Sequence, residues 1–362
     1  MGIGFTGTHL SMSFRFYIEK AAINAVESVG NIIRHRRGTV ARLENGKLKL
    51  VTVPTISAEC LKHAFQLWLA VLAEKYGESV CEWCRRGEFV KHGVPDLYQD
   101  QQFRNLISQA KQSKDSQAKQ LIDPTAIEEH VIKSCIVEDI GGFLIPIEVP
   151  VKRTSKIEFS FAVPTYDAIE KGLCRIEMDF HVRHAPTAML QKREAQAIYY
   201  VENVTGIFSF VTNLDVSYIG KTTSYIIRDV TGIDRRKRVE LAIRALQTML
   251  VNGAFGAKRG YYHPSKYCVL SAIAVVSKPI PVVVHSGVDP NYMVRTIEKV
   301  EKLKKMFSDE QAEVLYYVDD SELDEVKEQI KKIEGKAKKC SSIEELFEKI
   351  KEVVMSFEFG SS

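Results

Sequence analysis

The segment CVLSAIAVV, residues 268–276, decides the fold of this chain. Its residues are small or branched and apolar apart from Ser271, and a run without a polar face is typical of a strand buried on both sides. The segment before it has the apolar spacing of a helix that begins near Asp234 and stops at Asn252. Together they predict a sheet with residues 268–276 near its centre and a helix packed on it.

The earlier part of the chain repeats this combination. A helix capped by Ser57 carries an apolar stripe that ends at Gly77. The order of elements is strand, helix, strand, strand, helix, strand, as in the split β-α-β arrangement of ferredoxin-like and RNA-recognition-type folds. The predicted class is therefore α+β, with an antiparallel sheet and two helices. The other strand patterns occupy residues 13–19, 156–163, 175–182 and 207–216.

Insertions divide this pattern into segments. Residues 13–77 and 136–287 form the predicted RNA-recognition-like domain, and residues 78–135 form a helical insertion with a polar, mobile stretch. From Pro290 the pattern becomes helix, short strand, helix and helix. This change predicts a separate acidic α/β extension over residues 288–362.

Composition excludes several classes of protein. With 45% hydrophobic and 27% charged residues among 362, the chain is globular in composition and long enough to bury a core. The longest apolar run, residues 267–276, has half the length of a membrane span, and residues 1–12 lack the pattern of a signal peptide. Seven thinly spread cysteines favour a reducing compartment over a disulfide framework. We therefore expect a cytoplasmic protein without a membrane partner.

The net charge of +4 is unevenly distributed. Residues 288–362 contain 13 Lys and Arg against 18 Asp and Glu, a net charge of −5, which leaves +9 for residues 1–287. A basic body with an acidic appendage is typical of a protein that faces a polyanion such as a nucleic acid. A solvated helical tail would also make one end acidic, so the motifs must decide.

The loop after the first strand, residues 29–37, is the first candidate for binding a phosphodiester backbone. It combines Asn31, His35 and Arg36 with a glycine and two further arginines. Cations beside an amide and a glycine allow close approach to phosphates. A solvated basic turn would have the same composition.

The second candidate is the segment FHVRHAP, residues 180–186. If its alternate apolar residues face the core, His181 and Arg183 share the polar face and His184 lies where the strand ends. A paired imidazole and guanidinium can hold a phosphate and stack on a base. The plain alternative is a pair of surface histidines. The polar residues 187–197 that follow predict a protruding flap.

A glycine-rich loop after the second helix offers Lys258 and Arg259. The loop follows a helix and precedes a strand, which is the inverse of a nucleotide-binding loop, so ATP or NAD binding is disfavoured. Contact with a nucleic-acid backbone remains open. Further basic stretches lie at Lys152-Arg153 and at residues 235–238, where solvated cations are an equal alternative.

No cofactor or metal is assigned from the sequence. Cys81 and Cys84 form a C-x-x-C pair, but a structural zinc site takes four ligands. Cys135 with His92 or His130 would complete the set only if the fold brings these residues together.

Nothing in the sequence requires an enzyme. No Ser-His-Asp order, HExxH helix or repeated carboxylate pair is visible, and the doublet Glu138-Asp139 is more often structural than metal-binding.

Four segments converge on one family. They closely resemble the DevR-type backbone subunit, which binds guide RNA, of archaeal type I-A CRISPR Cascade complexes, and the likeness spans residues 13–287. The segments are VESVGNIIRHR at 26–36, VEDIGGFL at 137–144, PVKRTS at 150–155 and FHVRHAP at 180–186.

The resemblance implies a modified RNA-recognition-type palm with a helical insertion and a thumb hairpin at residues 185–204. It also implies that copies associate head to tail along a crRNA, beside other Cascade subunits, and that the guide pairs with target DNA in antiviral defence. A guide of arbitrary sequence must be held by its phosphates and sugars. With the basic pair at 152–153 included, the predicted RNA-binding residues are Asn31, His35, Arg36, Lys152, Arg153, His181, Arg183, His184, Lys258 and Arg259.

Two other functions compete with this non-catalytic scaffold. One is a metal-independent CRISPR RNA endonuclease in which His181 or His184 acts as general acid or base. The other is a zinc-dependent interaction module around Cys81 and Cys84.

Overall fold

Strand β14 (Val269–Lys278) lies inside the main sheet, as its unbroken apolar run predicts, and all but its last residue are buried. It pairs antiparallel with β1 (His9–Ala21), which pairs antiparallel with β11 (Gln196–Asp215). The computed structural model describes residues 7–44, 47–112, 124–184, 196–253, 255–256 and 269–360.

The other elements follow in chain order. The remaining strands are β2 (Ala25–Val29), β3 (Ile32–His35), β4 (Arg37–Glu44), β5 (Lys47–Pro54), β6 (Phe143–Ile145), β7 (Val151–Arg153), β8 (Ile157–Phe159), β9 (Val163–Pro164), β10 (Arg175–His184), β12 (Lys221–Thr222), β13 (Arg228–Asp229), β15 (Gln311–Val318) and β16 (Lys338–Cys340). The α-helices are α1 (Ala58–Lys75), α2 (Glu82–Arg85), α3 (Gln101–Gln112), α4 (Pro124–Ser134), α5 (Ile136–Gly141), α6 (Tyr166–Glu170), α7 (Arg235–Val251), α8 (Tyr292–Met306), α9 (Asp324–Ile330) and α10 (Ile343–Phe359). The main sheet has the order β16-β15-β14-β1-β11-β3-β2, and β8, β9 and β10 also pair with β11.

The two long helices predicted from the sequence are confirmed, as are the Ser57 cap and the start near Asp234. The Ser57 hydroxyl accepts a hydrogen bond from the Cys60 N–H at the start of α1, and the Asp234 carboxylate accepts one from the Lys237 N–H at the start of α7. The two helices pack side by side and bury their apolar stripes against one face of the sheet.

Strand β14 is apolar on both faces because each face meets a different part of the core. Ala272 and Ala274 belong to the large cluster under α1 and α7. Ile273 and Val275 point the other way, into a second cluster with Tyr292 of α8. The main sheet is therefore covered on both sides at its centre.

The acidic C-terminal segment is not a separate unit, contrary to the prediction. Strand β15 pairs antiparallel with β14, and β16 pairs parallel with β15, so the segment extends the main sheet. Phe347 of α10 stacks on Phe14 of β1 with ring centroids 6.3 Å apart. The sequence pattern predicted the three helices and β15 but neither β16 nor the earlier strand that β15 joins.

Strand β11 is longer than predicted and serves two regions. Its second half pairs with β1, while its first half forms a two-stranded ribbon with β10. The predicted strand at 156–163 is divided into β8 and β9, which pair with separate parts of β11. Within the described residues, none of the helices is long and apolar enough to span a bilayer.

The helical insertion shares a small core with the β6–β7 hairpin that follows it. Residues from α3, α4 and the β6–β7 hairpin surround Phe103, which is fully buried. The polar stretch predicted to be mobile covers residues 109–120, of which residues 113–120 lie outside the described residues.

Candidate nucleic-acid interface

Three strands bring two of the predicted RNA-binding segments to one end of the sheet. The first half of β11 lies between β3, which pairs with it in parallel, and β10, which pairs with it antiparallel. The Tyr200 N–H donates a hydrogen bond of 2.8 Å to the Asn31 carbonyl, and His181 lies opposite Tyr199 on the next strand. At the usual spacing between strands, Asn31 and His181 are about 10 Å apart.

Residues 25–35 form an exposed β-hairpin rather than the predicted loop. Gly30 occupies the turn with a φ of +61°, a left-handed conformation that favours glycine. Asn31 follows it and is exposed, and β2 is exposed along its whole length. The hairpin therefore offers a short, solvent-facing edge next to the β10–β11 ribbon.

Arg36 lies at the base of this hairpin, beside an open groove. Its guanidinium donates a hydrogen bond of 3.1 Å to the Asn24 side chain, which also accepts one from the Ser57 N–H. The groove has a volume of about 650 Å³ and runs between this corner and the exposed side of α1. Its lining comprises Ile23, Asn24, Ala25, Cys60, His63, Ala64, Leu67, Trp68, Val71, Phe255 and Gly256.

The glycine-rich loop starts at the edge of the same groove. Phe255 is buried edge-on against Phe16, and Gly256 has a φ of +88°. A Cβ at Gly256 would lie 2.4 Å from Ile23, so only glycine fits this close approach. Lys258 and Arg259 lie outside the described residues.

Strand β10 departs from its predicted faces beyond Ile176, which is partly buried against the core as predicted. Met178, Phe180 and Val182 were expected to face the core, but they are 52%, 55% and 38% exposed. The alternation from Met178 to Val182 is as predicted, but none of the described helices covers this part of the ribbon. His181, on the other face, is partly buried and stacks on Tyr199 with ring centroids 5.3 Å apart.

For Arg183 and His184 the structure gives the backbone position in β10 and the strand register. They end β10 opposite Ala197 and Gln196. The predicted thumb at 185–204 is therefore described only from Gln196 onward, as the β11 half of the ribbon.

His35 does not face a ligand, which corrects the prediction. Only 2% of the residue is exposed. Its Nε2 accepts a hydrogen bond from the Asn24 N–H, so its Nδ1 carries the proton and donates to the Arg36 carbonyl. Burial lowers the pKa of His35, which keeps the ring neutral. The residue holds the base of the hairpin in place.

Arg153 is also a structural residue rather than an RNA ligand. Its side chain is fully buried and forms ion pairs with Glu128 and Asp139. Asp139 pairs in turn with the buried Arg238 of α7. In sequence these arginines resemble solvated cations, because their acidic partners lie in distant segments.

Lys152 is exposed but lies away from the hairpin. The next strand, β8, pairs with residues 212–214 at the far end of β11. That is 12 residues beyond Tyr200, or roughly 40 Å along an extended strand. The structure therefore does not bring Lys152 together with Asn31 and His181.

The basic start of α7 is largely committed to internal contacts. Arg235 donates to the carbonyls of Ser217 and Ile219 and pairs with Glu358 of α10 at 2.8 Å. These contacts of Arg235 join the C-terminal helix to the core.

Sequence reasoning missed two residues of the interface. Asn24 links Arg36 to the start of α1, and Tyr199 provides the ring on which His181 stacks. Tyr199 could be predicted to lie opposite His181 only from the register of the β10–β11 ribbon. That register follows from the sequence only if the position of the turn is known.

Comparison with known proteins gives matches over most of the chain. The model of the family described as CRISPR-associated negative auto-regulator DevR/Csa2 matches residues 12–297. CRISPR-associated protein Cas7/Csa2 1 of Saccharolobus solfataricus is 28% identical over 313 residues, which cover 85% of this chain and 92% of that protein. The aCascade subunit Cas7/Csa2 2 of the same organism is 29% identical and covers 82% and 87%.

The fold also resembles a solved structure. A chain of a CRISPR RNA-guided surveillance complex in a pre-nicking state superposes with a TM-score of 0.52 and 12% identity, over 96% of this chain and all of that one. At this identity the likeness concerns the fold: a mixed α/β chain with a mostly antiparallel sheet and helices.

Proposed function

The chain belongs to the DevR/Csa2 family of CRISPR-associated proteins, and we propose that it acts as a crRNA-binding backbone subunit of a Cascade complex. Membership of the family agrees with the resemblance predicted from the sequence. The subunit holds the guide RNA in CRISPR defence and works beside other Cascade subunits. In our proposal it is not catalytic, its copies associate head to tail, and the guide that they hold pairs with target DNA.

One observation supports RNA binding through the phosphates and sugars rather than the bases: both faces of the central strands are covered. Ordinary RNA-recognition modules stack bases on aromatic residues of an open sheet. Here the phenylalanines of β1 and β11 face the hydrophobic core, and none is more than 1% exposed. The phenylalanines are Phe14, Phe16, Phe208 and Phe210.

The opposite face of β1 is closed by the chain that follows β14. The Ser11 and Ser13 hydroxyls accept hydrogen bonds from the N–H groups of Val284 and Gly287, at 3.0 and 2.9 Å. Arg15 on the same face donates to the Gly287 carbonyl and pairs with Asp167. Bases therefore cannot stack on the centre of this sheet, which supports a holder that grips the RNA backbone and leaves base edges free to pair.

The finer architecture follows from this proposal. Strands β1, β10, β11 and β14 with helices α1 and α7 correspond to the β-α-β-β-α-β order of an RNA-recognition-like palm. The β10–β11 ribbon is the base of the thumb. We place the guide across the hairpin tip, the groove beside Arg36 and the ribbon. Its contacts are Asn31, Arg36, His181, Arg183, His184, Lys258 and Arg259, with Lys152 a separate contact at the far end of β11.

The test is a binding titration with labelled single-stranded crRNA over a series of salt concentrations. We expect tight binding that is similar for unrelated guide sequences and weakens with salt. For single strands the log–log slope falls by roughly 0.7 for each phosphate contact that is removed. The variants Arg36→Gln and His181→Ala/Arg183→Ala should each weaken binding and flatten this slope.

A matched control removes two cations from the acidic C-terminal segment. Lys302 and Lys305 are exposed on α8, and Lys302→Ala/Lys305→Ala should bind RNA as the wild type does. Equal losses in control and test variants would contradict the proposed interface. Site-specific cleavage of the RNA that depends on His181 would overturn the non-catalytic function.

A further inference from the structure

Three thiols and one carboxylate meet where the helical insertion joins the rest of the chain. The ligand atoms of Cys81, Cys84, Cys135 and Glu138 all lie within 4.8 Å of one another. A tetrahedral zinc ion with Zn–S bonds of ~2.3 Å holds neighbouring ligand atoms about 3.8 Å apart. Shifts of about 1 Å or less, within the reach of side-chain rotation, would close this set around an ion.

The same spacing occurs twice in the cluster. Cys81 and Cys84 flank the first turn of α2, and Cys135 and Glu138 flank the first turn of α5. A separation of three residues at a helix start puts both side chains on the same side of the turn. Two helix starts therefore face each other, and each contributes two ligands.

Neighbouring residues hold the carboxylate in position. The Glu138 Oε1 atom lies 3.3 Å from the Cys81 Sγ, while the Oε2 atom lies 2.7 Å from the His92 Nδ1. The His92 ring stacks on Tyr98 at 3.5 Å, and the His92 N–H donates to the Tyr98 hydroxyl. A hydrogen-bonded partner behind a ligand is the usual arrangement around a protein-bound metal.

We propose that Cys81, Cys84, Cys135 and Glu138 bind one structural Zn²⁺ ion, with His92 orienting Glu138. Thiolates favour zinc over hard cations such as Mg²⁺ or Ca²⁺. An iron–sulfur cluster takes four cysteines, and this site has three. An ionised carboxylate that is buried is costly without a cationic partner, and a bound cation supplies that partner for Glu138 and for the thiolates.

The position of the site gives the ion a structural role. Cys81 and Cys84 lie where the insertion begins, and Cys135 and Glu138 lie where it ends. The ion therefore fastens the start of residues 78–135 to their end and to α5. This inference does not depend on RNA binding.

The test measures metal in the full-length protein, purified without an affinity resin that carries metal. We expect one zinc ion per chain by inductively coupled plasma mass spectrometry. Replacement of zinc by Co²⁺ should produce thiolate charge-transfer bands in the absorption spectrum. Wild-type protein that contains no zinc, and takes none up after reduction and incubation with ZnCl₂, would overturn the proposal.

Variants separate the site from the other cysteines. Cys84→Ser should lose at least nine-tenths of the bound zinc, whereas the matched control Cys174→Ser, whose thiol lies outside the cluster, should keep it. Glu138→Gln, which keeps the shape of the side chain, should lower zinc affinity by roughly tenfold or more. Zinc retained in Cys84→Ser and in Cys135→Ser would contradict the site, as would a disulfide found among these cysteines in protein purified with reductant.

Discussion

The buried ion network around Asp139 shows how much one side chain can contribute to the stability of this molecule. Arg153 and Arg238 are fully buried and share Asp139, which also accepts a hydrogen bond from the Gly220 N–H. Removing one member leaves the charge of its partners buried and uncompensated, which costs far more than a surface ion pair. The network connects β7, α5 and α7, so its loss affects the core rather than a binding surface.

We predict that Arg153→Met lowers the free energy of unfolding by about 3–5 kcal/mol. Urea denaturation measures this change. The neighbouring exposed residue provides the control, since Lys152→Met should stay within about 0.5 kcal/mol of the wild type. Similar stabilities for the two variants would show that the network contributes little.

A second residue-level prediction concerns the buried amine of Lys156. Burial lowers the pKa of Lys156 to about 8, and the charged amine lies over the ring of Tyr218. Below pH 8 the folded state carries the full cost of a buried charge. Between pH 8 and the unfolded pKa of about 10.4, the folded amine is neutral while the unfolded one still binds a proton, so stability rises with pH.

We therefore expect the stability of the wild type, measured relative to Lys156→Met, to increase by roughly 1 kcal/mol between pH 7 and pH 9. Urea denaturation at both pH values measures it. A difference between the two proteins that stays constant with pH would contradict this prediction.

At the scale of elements, local sequence signals predict a helix or strand correctly where the residues that form the signal are neighbours in the chain. The Ser57 and Asp234 caps, the apolar stripes of α1 and α7 and the run of β14 each predicted an element that the structure contains. The face of β10 was predicted wrongly because period-two alternation shows that two faces differ, but not which one is covered.

Long-range contacts explain the other errors. His35 and Arg153 are residue types that commonly bind RNA. In the structure, however, His35 is held by Asn24 and Arg153 by Glu128, and neither partner is adjacent to it in the sequence. The thiol cluster is similar, because Cys81 and Cys135 are 54 positions apart in the chain and meet only through the fold.

The exposed face of the β10–β11 ribbon leads to a prediction about assembly. Met178, Phe180 and Val182 form an apolar strip, and exposed apolar patches commonly mark interaction sites. If copies associate head to tail, this strip is a natural contact with the next copy. We predict that Met178→Ser/Phe180→Ser lowers the number of subunits bound to a long guide RNA several-fold, as counted by native mass spectrometry.

The same variant should change the stability of the monomer by no more than about 1 kcal/mol, because the strip is exposed. Met306→Ser is the control, since Met306 is 71% exposed at the end of α8. Assembly that is normal in the ribbon variant but impaired in the control would place the contact elsewhere.

On the scale of the whole molecule, the charge asymmetry has a structural consequence. The acidic residues 288–362 supply β15 and β16 of the main sheet and the helix α10, which packs on α7. Glu322 from this segment pairs with the buried Arg15 at 3.1 Å. The segment thus completes the core of the basic body and covers the face of β14 that lies opposite α1 and α7.

We predict that a chain ending at residue 289 does not fold cooperatively. The truncation would remove α8 from one face of β14 and leave Arg15 buried without Glu322, while Phe14 would lose the ring of Phe347. Denaturation followed by near-ultraviolet circular dichroism measures the effect, and a chain ending at Gly360 is the control.

A milder change, Phe347→Ala, should lower the free energy of unfolding by about 3–5 kcal/mol if the segment is part of the core. A cooperative transition in the truncated chain, together with a small effect of Phe347→Ala, would restore the alternative of a separate acidic appendage.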